Sequence, residues 1–138
     1  MNRTVSISLA VACVAAMFVP VARAADPPSN RVIAIYFHRT ERCPTCLKMG
    51  DYAEEAVEKG FPKQVEKDVV GFYFVDYQKK KNAALTKGYK ISKPSLVVVN
   101  VKDNKAQEYR NLKDIWSKVQ DKSEFLKYVR ANVAAYLK

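Results

Sequence analysis

The sequence has few of the residues that most metal and nucleophile chemistry needs. Its 138 residues include one histidine, His38, and three cysteines. A single Cys-x-x-Cys supplies two zinc ligands, and no second pair exists to complete a set of four. Neither a metal site nor a bound cofactor is expected. Acidic residues are scarce too, with 14 Asp and Glu against 24 Lys and Arg, a formal charge of +10. That balance favours acidic partners or anionic surfaces, or reflects only a basic, solvated exterior. The basic residues are spread over the chain. The one run, Lys79-Lys80-Lys81, reads as a solvated helix start, and no nucleic-acid motif is present, so no nucleic-acid partner is expected. Internal repeats and low-complexity segments are also lacking.

The one long hydrophobic run is at the start. Val5 to Ala22 is almost uninterrupted, Arg3 precedes it, and Ala22-Arg23-Ala24 is a small-x-small site with Pro20 just before it. Residues 1–24 therefore read as a secretory signal cleaved after Ala24, with an uncleaved anchor as the alternative. Export would leave about 114 residues, 22 Lys and Arg against 14 Asp and Glu, and a charge near +8. It would also remove Cys13, leaving only Cys43 and Cys46, in an extracytoplasmic compartment (periplasm or outside the cell) where disulfides persist. No membrane attachment is expected after cleavage. Residues 25–30, Ala-Asp-Pro-Pro-Ser-Asn, form a polar linker that should be mobile.

What remains, residues 31–138, is one domain with enough apolar residues to fold without staples. Arg31 to His38 is a first strand whose near-continuous apolar run suggests burial on both faces. Cys43-Pro44-Thr45-Cys46 follows after a polar turn. Pro44 suits the first position of a helix. Cys46, Met49, Ala53, Ala56, Val57 and Gly60 recur at helical spacing, and Gly60 with Pro62 ends that helix. Gly50 inside the stripe implies a close contact or a bend. Val69 to Tyr77 is a second strand, parallel to the first because a helix joins them. Lys79 to Lys87 is a short helix with Gly88 as its stop. Ser95 to Val101 is a third strand, Lys102 to Lys105 a hairpin turn, and Gln107 to Asn111 a fourth strand. Leu112, Ile115, Trp116 and Val119 mark a helical turn. Asp121 to Glu124 is a capping box ahead of an amphipathic terminal helix.

Two cysteines separated by two residues can close a small reversible disulfide. At a helix start, Cys43 would sit over unpaired N–H groups and the positive end of the dipole, which stabilises a thiolate. A free thiol of pKa ~8.5 is about 3% ionised at pH 7. Lowering the pKa to ~7 takes roughly 2 kcal/mol. Cys43 is thus the candidate nucleophile. Cys46, on the apolar stripe, is the candidate resolving thiol, and a static structural disulfide is the alternative. Arg42, Pro44, Thr45 and His38 are candidates for tuning the pair. His38 could shuttle a proton, but a strand-end residue tied to backbone is the expected role. Glu41 could act as a base, with an exposed turn carboxylate expected. Ile115 and Trp116 could form a partner surface, with core packing expected from their spacing.

The order of elements, Cys43-Pro44-Thr45-Cys46 after the first strand, and Tyr89-Lys90-Ile91-Ser92-Lys93-Pro94-Ser95 before the third resemble the thioredoxin-like superfamily. The resemblance covers nearly all of residues 31–138. It implies an α/β thioredoxin fold, a central four-stranded mixed sheet in the order second, first, third, fourth strand, with helices on both faces. It also implies a cis bond before Pro94, packed against the cysteines, with Lys93 offering its backbone to an extended substrate. Within the superfamily, Phe37 to Cys46 and Asn111 to Trp116 are similar to exported ArsF-type thioredoxin-like proteins, the nitrophenyl compound nitroreductase subunit family. The chain differs from thioredoxin in three ways. Arg42 precedes the motif, where thioredoxin has Trp. Pro44 is the first inner residue, not the second. Phe37 stands where thioredoxin has a buried Asp, so the resemblance assigns no proton acceptor to Cys46. The expected protein is an exported, monomeric thiol–disulfide oxidoreductase acting on protein disulfides or a redox partner protein. A non-catalytic interaction module and an electron-transfer accessory subunit of a nitroreductase-type partner are the alternatives.

Overall fold

A computed structural model describes residues 25–138; the expected signal sequence, the expected cleavage after Ala24, and Cys13 lie outside the described residues. The chain forms β1 (Arg31–His38), α1 (Pro44–Gly60), α2 (Pro62–Glu66), β2 (Val70–Asp76), a 3₁₀ turn (Lys80–Asn82), α3 (Ala83–Gly88), β3 (Ser95–Lys102), β4 (Lys105–Asn111), α4 (Ile115–Lys118) and α5 (Lys122–Tyr136). The four strands make one sheet in the order β2-β1-β3-β4. β1 and β2 run parallel, with Val32 opposite Val70 and His38 opposite Asp76, while β1/β3 and β3/β4 are antiparallel. This is the order the resemblance implies.

The alternation of β1 divides the core. Val32, Ala34 and Tyr36 point to one face, where they meet Met49, Ala53 and Val57 of α1 and Phe125, Val129 and Val133 of α5. Ile35 and Phe37 point to the other, against Val97, Val99 and Ile91, with Ile33, Val75, Tyr77 and Tyr89 at its margin. Burial on both sides explains the continuous apolar run. Phe37, near the end of β1, pairs with Ser95 at the start of β3, and the segment before β3 lies across a cleft from the start of α1.

Gly50 is explained by close contact, not by a bend. A Cβ there would lie 3.0 Å from Phe74 Cε1 and 3.1 Å from Tyr36 Cε1. Asp121 caps α5 by accepting from the Glu124 N–H at 3.1 Å, and Asp103 and Asn104 take positive φ in the hairpin turn.

One expectation is refined and one corrected. α3 ends at Gly88 as expected, but that residue has no positive φ. The left-handed residue is Lys90, φ 54°. The Ile91 N–H reaches the Thr86 carbonyl at 2.8 Å and the Lys90 N–H reaches Lys87 at 3.1 Å, a Schellman closure one residue pair later than the glycine suggested. The linker is also tied at its end. The Asn104 N–H donates to the Ser29 carbonyl (2.9 Å), the Asp103 N–H to Asn30 Oδ1 (3.0 Å), and Arg31 to both Pro28 and Asn104.

Candidate functional site

Cys43 is the N-cap of the 17-residue α1, with extended backbone (φ −72°, ψ 160°) and Pro44 in the first turn. Its Sγ accepts the Cys46 N–H at 3.2 Å, one of the four donors that a helix start leaves unpaired. The two cysteines are joined in a disulfide with Cα atoms 5.1 Å apart. Their environments differ: Cys43 is exposed and Cys46 is 5% exposed. Cys43 is therefore the half of the pair more open to a partner from solvent.

Below the pair, the fully buried Tyr36 hydroxyl donates to the Cys46 carbonyl at 2.8 Å. Desolvation raises the Tyr36 pKa to about 12 against a smaller opposing pull from Arg42, so the phenol stays a donor at neutral pH. The ring meets Phe74 edge-on at 6.1 Å, and the Arg42 guanidinium lies over Phe74 at 4.9 Å. The charge beside the nucleophile is thereby held in place by an aromatic face.

The loop before Cys43 is anchored by Asp76 at the end of β2. Asp76 is 8% exposed and accepts from the Thr40 hydroxyl (2.7 Å) and the Gln78 N–H (3.0 Å). Burial pushes its pKa up, but the two hydrogen bonds and the nearby His38 and Lys79 outweigh that and hold it below the usual carboxylate range. His38 is tied to backbone as expected, its Nδ1–H donating to the Arg39 carbonyl at 2.7 Å. Thr45 is half-buried in the first turn. Phe37 is fully buried against the Tyr89 ring, so the position of the missing carboxylate is filled by hydrocarbon.

The other wall of the site is the segment before β3. No cis peptide bond occurs among the described residues, so Pro94 is trans, and the expected cis bond is corrected. Trans is the ordinary preference of an X-Pro bond. Here the flanking carbonyls have partners within the chain. The Lys93 carbonyl accepts from Ser95 Oγ at 2.8 Å, and the Pro94 carbonyl accepts from the Trp116 indole at 3.1 Å. Ile115 is buried as core, whereas Trp116 is 38% exposed and turns outward. A cleft of about 360 Å³ is lined by Arg39, Glu41, Cys43, Cys46, Lys93, Pro94 and Trp116. It brings together the cysteines, the substrate candidates Lys93 and Pro94, and Glu41. The tuning candidates Arg42, Pro44, Thr45 and His38 stand outside its walls. Among the described residues, no group of three His, Cys, Asp or Glu side chains gathers as a metal site, and no helix is long and apolar enough to cross a membrane.

Tyr36 and Asp76 escaped the sequence reading. Asp76 left a signal, a carboxylate ending an apolar strand. Tyr36 left none, because in an apolar run a tyrosine reads as core and its hydroxyl partner lies ten residues away.

Fold and site together define a thioredoxin-fold domain carrying a Cys-x-x-Cys disulfide at the start of its first helix. No family model matches the chain, and no curated protein matches it. Among solved structures it is similar to human ERp44 in a zinc-bound form, at 18% identity and a TM-score of 0.52, over 75% of this chain and 27% of that one. The chain thus spans about a quarter of ERp44. A thioredoxin from Thermus thermophilus aligns at 23% identity and a TM-score of 0.47, over 77% of this chain and 76% of its own. The germline-specific thioredoxin Deadhead from Drosophila melanogaster aligns at 22% and 0.40, over 68% and 80%. The likeness to ERp44 carries the fold and no activity.

Proposed function

We propose that this protein is a thiol–disulfide oxidoreductase working outside the cytoplasm, with Cys43 as nucleophile and Cys46 as resolving thiol. The observation that carries the reading is the asymmetry of the pair: an exposed N-cap sulfur at the rim of a cleft, bonded to a buried partner one turn in. When the disulfide is reduced, helix N–H groups and dipole favour the Cys43 thiolate. That thiolate attacks one sulfur of a substrate disulfide. A Cys43–substrate S–S bond forms, the substrate S–S bond breaks, and the departing thiolate takes a proton from solvent. Cys46, deprotonated, then attacks Cys43 Sγ and releases the second substrate thiol. Two electrons pass from protein to substrate, and the reverse sequence oxidises a dithiol. The apolar run of residues 1–24 supports export.

The test is paired. Insulin reduction by dithiothreitol and oxidation of reduced ribonuclease are followed with wild type and with Cys43→Ser. Acceleration in at least one assay, lost in the variant, is expected. No acceleration in either would leave the disulfide a structural brace.

A second reading is electron transfer to a partner reductase, as in the ArsF-type group. Exposed Leu47 on α1, next to Cys46, favours it, since it places apolar surface beside the disulfide. Here Cys46→Ser should retain one partner as a mixed disulfide that reductant releases. Recovery of many unrelated proteins instead would favour general exchange.

A further inference from the structure

We propose that the cleft selects substrates whose reactive cysteine is flanked by acidic side chains. The inference rests on the exchange reading above and names its substrate class. Recognition by strand addition takes its affinity from backbone hydrogen bonds and its specificity from the side chains that line the site. At this cleft the Lys93 and Pro94 carbonyls each already accept one hydrogen bond, from Ser95 and Trp116, which leaves one lone pair apiece for a substrate. Side chains are what the walls present. The cleft beside the cysteines shares Lys93, Pro94 and Trp116 with a neighbouring one lined also by Lys90 and Lys113. The track therefore carries Arg39, Lys90, Lys93 and Lys113 against one carboxylate, Glu41.

These cations are available. Among the described residues the ion pairs are those of Glu55 with Lys59 and Lys122, on α1 and α5. Arg39 donates one N–H to the Tyr77 hydroxyl at 3.0 Å, a neutral partner that positions the guanidinium and leaves its charge uncompensated. Lys93 Nζ sits 5.8 Å from the Trp116 ring centroid. The indole N–H is spent on Pro94, so the exposed ring serves as a platform for the ammonium and for an apolar stretch of substrate. An acidic segment laid along the track would find four cations as partners. A basic one would find Glu41 as its single counter-charge and be repelled by the four cations.

The experiment uses Cys13→Ser/Cys46→Ser, in which Cys43 is the only thiol of the three cysteines. Three 2-pyridyl disulfides serve as probes: a peptide whose single cysteine is flanked by glutamates, the same peptide with lysines instead, and uncharged 2-hydroxyethyl 2-pyridyl disulfide. Cys43 attacks the probe sulfur and 2-thiopyridone leaves, which gives the rate directly. At low ionic strength the glutamate peptide should react about tenfold faster than the lysine peptide, and the ratio should fall towards one in high salt. Adding Lys93→Glu/Lys113→Glu should abolish or invert the preference. Glu41→Gln should enlarge it. The charge-matched pair Lys63→Glu/Lys127→Glu, outside the cleft, should keep it. Equal peptide rates with a fast neutral probe would overturn this proposal and leave exchange standing. A preference lost equally in the charge-matched pair would assign it to net charge and overturn the cleft's role. A neutral probe reacting no faster with Cys43 than with free cysteine would overturn the exchange reading itself.

Discussion

Replacing Tyr36 by Phe removes a single oxygen, and the structure says what that oxygen does. It donates at 2.8 Å to the carbonyl of Cys46, in a place with no exposure to solvent. The ring stays, so contacts with Gly50 and Phe74 are kept. A buried neutral hydrogen bond contributes about 1 kcal/mol net. Oxidised Tyr36→Phe should therefore be less stable by about that amount at pH 7 in urea unfolding, with the slope unchanged. The pH dependence gives a sharper check. The phenol titrates near 10 when unfolded and near 12 when folded. Above pH 10 the unfolded chain loses this proton and the folded one keeps it, so stability from Tyr36 is full below pH 10 and falls as pH rises towards 12. At pH 11 the loss comes to roughly 1.4 kcal/mol, about one pKa unit. The other tyrosines and the lysines titrate in both proteins and cancel in the difference. The gap between wild type and Tyr36→Phe should therefore close, or slightly invert, by pH 11. A gap that stays constant from pH 7 to 11 would refute the buried donor, and a gap near zero at pH 7 would refute its contribution.

Three further outcomes follow from named contacts. Gly50→Ala gains about 1 kcal/mol of helix propensity. Its new methyl would nonetheless press on the Phe74 and Tyr36 rings at 3.0 and 3.1 Å. A net destabilisation of about 1–2 kcal/mol is expected in urea unfolding, and stabilisation would contradict the packing. Asp76, with its pKa held low, contributes stability that is present above the unfolded carboxylate pKa near 3.8 and is lost as pH falls through the lower folded value. Asp76→Asn should flatten the acid limb of stability against pH, read by unfolding midpoints from pH 2 to 6. In Cys13→Ser/Cys46→Ser, iodoacetamide alkylation of Cys43 should have a midpoint about one unit or more below 8.5, and a midpoint at or above 8.5 would remove the helix-start mechanism.

The strands were readable because their signal is local and strong. β1 appears at Arg31–His38 as its apolar run implied, and the helical stripe from Cys46 marked the buried face of α1. Punctuation was less reliable. Gly88 does end α3, but the left-handed closure falls on Lys90, a residue with no compositional signal for positive φ. Trp116 shares the spacing of Leu112, Ile115 and Val119, yet α4 is a single turn and its indole is drawn outward to the Pro94 carbonyl. At the site, the cysteines were legible and their neighbours were not. The Tyr36–Cys46 and Asp76–Thr40 bonds join residues 10 and 36 positions apart. No pattern along one chain announces such pairs, since each partner also has an ordinary local reading.

The central claim is that the Cys43–Cys46 disulfide is made to be opened and remade. Equilibrating the protein in defined thiol–disulfide buffers and quantifying the oxidised fraction by thiol alkylation gives its reduction potential. A value between about −120 and −270 mV, the span of exchange catalysts, is predicted; a value well below about −300 mV would mark a structural bond and contradict the account.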